Sequence, residues 1–110
     1  MLEKIIETTE FLKSKGIVDP EAGVILGTGL GALTTKIENS LEIDYRDIPN
    51  FPVSTVEGHD GKLIFGNFGN KKIVAMKGRF HYYEGYSPEQ IALPIRVLKY
   101  LGIRHLFLSN

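Results

Sequence analysis

The sequence predicts a single α/β domain, and three observations predict it. An apolar run, GVILG, breaks into glycines and then into helix-forming residues; two apolar segments are joined by Gly-Asn; and a strongly capped helix leads into a last apolar run. One layer of strands with helices packed on it accommodates all three.

Taken in order, Leu2, Ile5, Ile6 and Leu12 fall near one helical stripe with Glu3, Lys4, Glu7 and Lys13 off it, so residues 2–15 are expected to form an amphipathic surface helix that stops at Gly16. GVILG followed by TGLGALTTKI reads as strand, tight turn and helix. In LEIDYRDIPNFPVSTVEGHDG, two prolines and scattered polar residues following a short strand predict an ordered but irregular loop over 47–61. KLIFGNF and KKIVAMKG flank the Gly-Asn pair and should be antiparallel strands of a hairpin. Ser87, Pro88 and Gln90 form a helix start with a capping box, Ile91, Ile95 and Leu98 continue a buried stripe to Leu101, and Gly102 ends it. Pro94 is expected to kink this helix, because it lies past the first turn. RHLFLSN reads as the final strand.

Composition narrows the function. A chain of 110 residues makes one small domain. Thirteen basic and thirteen acidic side chains cancel, so no broad field favours nucleic acid or anionic lipid, and an anion must be held by a local cluster. The absence of cysteine excludes disulfides, thiolate metal sites and cysteine nucleophiles, and three histidines are few for a zinc site. The charged N-terminal stretch lacks a signal peptide's apolar core, and no run approaches the ~20 apolar residues of a membrane span, so a cytoplasmic protein is expected.

Two segments carry candidate chemistry. In GRFHYYEGY, residues 78–86, Arg79 and His81 share one face of an extended chain and together suit an anion; the plainer alternative is an exposed strand end paired with Glu84. Tyr82, Tyr83 and Tyr86 serve either as packing residues or as a wall for a sugar, and spacing does not choose among them. In GTGLG, the glycines Gly27, Gly29 and Gly31 let backbone N–H groups approach an oxyanion, with the Thr28 hydroxyl as a further donor; the alternative is a sharp turn that needs glycine for geometry alone. The spacing is neither a dinucleotide fingerprint nor a P-loop. His59, in VEGHDG, stands alone in the long loop, and Asp47 and Asp60 form no readable carboxylate pair.

GVILGTGLGAL, IPNFPVSTVEGHDGKLIFG, GRFHYYEGY and the terminal LSN resemble, in order and spacing, the N-terminal portion of purine nucleoside phosphorylases of the homotrimeric family, from around Pro20 to Asn110. The resemblance implies a three-layer α/β fold, a mixed sheet flanked by helices, here truncated. It also implies reversible phosphorolysis of purine (deoxy)ribonucleosides to free base and (deoxy)ribose 1-phosphate. Inorganic phosphate would be the co-substrate, with no metal or organic cofactor, in a homotrimer whose active sites lie near subunit interfaces. Matched residue by residue, Thr28, Arg79 and His81 correspond to phosphate-binding positions, His81 being the candidate catalytic residue. Tyr83 corresponds to a ribose contact, and His59 to a histidine near the phosphate and the sugar's 5′ end. Gly27, Gly29 and Gly31 supply the loop backbone, and Asn110 borders the nucleoside pocket. The family's purine-recognising residues lie further along than this sequence extends. The chain is therefore expected to be a fragment that holds the phosphate and ribose half of the site and is inactive alone. The alternatives are the related methylthioadenosine phosphorylase, against which Phe80 and the residues after His81 argue, and a purely anion-binding or structural module.

Overall fold

A computed structural model describes residues 1–27, 31–53, 61–78 and 85–108. Helix α1 spans Leu2–Ser14. Five strands follow in chain order: β1, Ala22–Leu26; β2, Glu38–Asp44; β3, Lys62–Phe68; β4, Lys71–Lys77; and β5, His105–Leu108. Helix α2, Pro88–Leu101, lies between β4 and β5. The strands form one mixed sheet in the order β2-β3-β4-β1-β5, antiparallel across β2-β3-β4 and parallel across β4-β1-β5.

The local chemistry explains these elements. Gly69 and Asn70 close the β3-β4 hairpin with Phe68 opposite Lys71, and Gly69 takes φ +64 at the first central position, where glycine meets no Cβ clash. Ser87 caps α2: its Oγ accepts from the Gln90 N–H at 3.2 Å, and its own N–H donates to Gln90 Oε1 at 2.8 Å. Gly102, at φ +105, ends that helix in the left-handed conformation. Pro94 lies inside α2, which continues through it to Leu101.

Both helices cover one face of the sheet. Ile25, Leu63, Val74 and Met76 pack there against Ile5 and Leu12 of α1 and Leu93, Val97, Leu98 and Leu101 of α2. The alternate residues Ala22, Leu26, Ile64, Ile73 and Ala75 point to the other face, where Leu33 and Ile37 meet them. Leu33 belongs to the helix expected after β1, which takes the 3₁₀ form over Gly31–Lys36. Two β-branched threonines and the immediate turn into β2 leave that segment too short to propagate an α-helix.

The helix stripes also differ from expectation. In α1 the buried residues are Ile5, Thr8, Thr9 and Leu12, whereas Leu2 and Ile6 are exposed. The threonines tolerate burial because their hydroxyls are satisfied. Thr8 Oγ1 donates to the Pro49 carbonyl and Thr9 Oγ1 to the Ile5 carbonyl, each at 2.7 Å. Asn50, at φ +67, adds Nδ2 donors to Glu7 Oε1 at 2.7 Å and Thr8 Oγ1 at 3.1 Å, so the loop after β2 is fastened to α1. In α2 the buried stripe is Leu93, Pro94, Val97, Leu98 and Leu101, with Ile91 and Ile95 only half-buried.

Strand β5 is an edge, and all four of its residues are exposed, Leu108 most of all at 70%. Just before β1, the Glu21 carboxylate accepts from Lys71 Nζ at 2.6 Å, and that hydrogen bond holds its carboxyl below the usual range. No described helix is long and apolar enough to cross a membrane.

Candidate functional site

The parallel register gathers three strand ends. Leu26 pairs with Lys77 across β1-β4, and Ile25 with Leu108 across β1-β5. Strand β3 runs the other way and begins at the same level, Lys62 opposite Lys77. Gly27, Gly61, Gly78 and Leu108 therefore lie along one edge, on adjoining strands spaced about 5 Å apart. In open α/β sheets the carboxyl ends of parallel strands are where ligands are held.

Through these residues the chain enters or leaves stretches 28–30, 54–60, 79–84 and 109–110. Thr28, Gly29, His59, Arg79, His81, Tyr83 and Asn110 belong to those stretches and lie outside the described residues. Of the expected site residues, Gly27 follows the last residue of β1 and Gly31 begins the 3₁₀ helix. Gly78 turns the chain at φ +116, a conformation that glycine alone adopts easily. Lys62 and Lys77 face each other at this end of the sheet, and Lys62 Nζ lies 3.8 Å from the Glu42 carboxylate. Among the described residues, no three or more histidine, aspartate or glutamate side chains gather as metal ligands would.

One residue here had no place in the sequence reading. Tyr45, directly after β2, is buried, and its phenol donates to the Gly78 carbonyl at 2.8 Å. Its backbone N–H donates to the Gly61 carbonyl at 3.1 Å. The ring leans on Phe51, with centroids 5.6 Å apart, and crosses Gly61 so closely that a Cβ there would overlap it. Burial pushes the phenol well above its usual pKa, so it remains a protonated donor. The only signal in the sequence was one aromatic residue two positions ahead of Asp47, indistinguishable from a packing residue.

The family model for the phosphorylase superfamily matches residues 21–110. The chain belongs to the phosphorylase superfamily. It is 51% identical over 106 residues to purine nucleoside phosphorylase 1 of Geobacillus stearothermophilus, covering 96% of this chain and 39% of that protein. The Bacillus subtilis enzyme of the same name is 47% identical, covering 100% and 41%. Among solved structures, isoform 2 of purine nucleoside phosphorylase from Schistosoma mansoni, in complex with cytosine and ribose-1-phosphate, superposes with a TM-score of 0.92 at 50% identity over 98% of this chain and 38% of that one. The superfamily member described here thus spans about two fifths of the length of these relatives, and corresponds to the N-terminal part of a purine nucleoside phosphorylase.

Proposed function

We propose that this chain supplies the phosphate- and ribose-binding half of a purine nucleoside phosphorylase. The observation that carries the reading is the convergence of Gly27, Gly61, Gly78 and Leu108 on one sheet edge, since these residues lead directly into every stretch that holds a matched site residue. Identities near 50% to enzymes of that name support it.

The chemistry follows from the transition state. As the N-glycosidic bond breaks, its electron pair leaves with the purine and positive charge develops on the sugar. A phosphate oxygen held beneath the anomeric carbon both stabilises that charge and forms the new C–O bond of ribose 1-phosphate. Arg79, with its planar fork of donors, His81, and the Thr28 hydroxyl with the glycine backbone around it would hold the phosphate. Tyr83 would orient the ribose and His59 would stand near its 5′ end. Base recognition would come from residues outside this chain, in a homotrimer, with phosphate as co-substrate and no cofactor invoked.

Titrating the purified chain with inorganic phosphate, ribose 1-phosphate and hypoxanthine tests the division of labour. Saturable binding of the first two and none of the free base is expected; binding of hypoxanthine without phosphate or ribose 1-phosphate would reverse the assignment.

A further inference from the structure

We infer that Tyr45 is a positioning residue for the phosphate and ribose site, holding together the roots of the two segments that carry His59 and the Arg79, His81 and Tyr83 set. The inference rests on the functional reading above, but its geometry lies within the described residues.

Tyr45, Gly61 and Gly78 extend three neighbouring strands, β2, β3 and β4, past their paired portions at the same end of the sheet. The Tyr45 N–H to Gly61 carbonyl bond continues the β2-β3 ladder by one step. The phenol then spans a second strand spacing to reach the Gly78 carbonyl on the far side of β3. This path is open only because Gly61 has no side chain, for a Cβ would occupy the ring's position. One residue is thus hydrogen-bonded through its backbone N–H to the residue after Asp60 and through its phenol to the residue before Arg79. Phe51 and the burial of the ring fix its direction, and the packed rotamer transmits that constraint to both roots. A guanidinium and an imidazole that must meet one phosphate need their backbone origins held to a fraction of an ångström.

Tyr45→Phe retains the ring and the backbone bond to Gly61 and removes the phenol's bond to Gly78, so that the ring is held over Gly61 by packing alone. In the purified chain it is expected to speed amide hydrogen exchange at Gly61 and across residues 78–84 by about three- to tenfold, leaving α1 and α2 unchanged, and to raise the Kd for inorganic phosphate by a similar factor, the size of one net hydrogen bond. A residue that merely fills the core would lower the thermal midpoint and leave phosphate affinity of the folded chain alone. Unchanged exchange at both roots overturns the inference, as does an unchanged phosphate Kd where the unsubstituted chain binds phosphate. Failure of the unsubstituted chain to bind phosphate counts instead against the functional reading, and the exchange comparison still decides the role of Tyr45. Independently of any variant, the tie should appear in the unsubstituted chain as a slowly exchanging Tyr45 hydroxyl proton with a nuclear Overhauser contact to the Gly78 Hα protons; a freely exchanging hydroxyl overturns it.

Discussion

Replacing Leu98 with alanine is expected to destabilise the chain by about 3 kcal/mol, which lowers the thermal midpoint by roughly 10–20 °C for a domain of this size. Leu98 is fully buried in the larger core cluster, where α2 packs on the sheet. Its Cδ1 reaches so near β1 that a Cβ on Gly23 would lie 3.2 Å from it. Removing three carbons there leaves a cavity between helix and sheet that neither element can close without breaking its own hydrogen bonds, and the lost transfer free energy adds to the cavity's cost. With total stabilities of single domains in the range of about 5–15 kcal/mol, the loss is a large share. Thermal or urea unfolding followed by circular dichroism reads it; a midpoint that does not move would show that α2 does not pack on β1 as described.

The second large effect concerns ligand rather than fold. Arg79→Ala should raise the Kd for inorganic phosphate by about 10- to 100-fold, the equivalent of losing a charge-assisted, forked pair of hydrogen bonds, with little change in thermal midpoint. Arg79→Lys should recover only part of the affinity, because an ammonium keeps the charge and loses the fork. Calorimetry or phosphorus resonance titration reads both variants. Phosphate affinity unaltered in Arg79→Ala removes Arg79 from the site.

Much of the fold was legible because its signals are local. The Gly-Asn hairpin and the Ser87-Gln90 capping box depend on a few adjacent residues, and both appear as expected. The phase of each helix depended on partners that are distant in sequence. Thr8 lies inward because the Pro49 carbonyl accepts its hydroxyl proton, and Leu93 and Val97 displace Ile91 and Ile95 from the centre of the stripe because α1 and the sheet approach α2 from that side. No periodicity argument contains those partners. The helix expected after β1 is present as the 3₁₀ segment Gly31–Lys36, and a turn into β2, rather than helix propensity, sets its length.

The candidate site divides in a similar way. Its motif residues were legible as residue types at fixed spacing, but Thr28, His59, Arg79, His81 and Tyr83 lie outside the described residues. What the structure contributes is the frame: adjoining strand ends from which each of those segments starts or to which it returns. Tyr45 was missed because its role exists only across three strands, and a single buried tyrosine has no sequence signature.

The most direct test exchanges residues 1–110 for the matching segment of the Geobacillus stearothermophilus relative and follows hypoxanthine release from inosine with and without inorganic phosphate. The account predicts release that requires phosphate and yields ribose 1-phosphate in equal amount. A folded chimera that releases no hypoxanthine, or releases it equally without phosphate, would contradict the claim that this chain carries the phosphate and ribose half of a phosphorylase site.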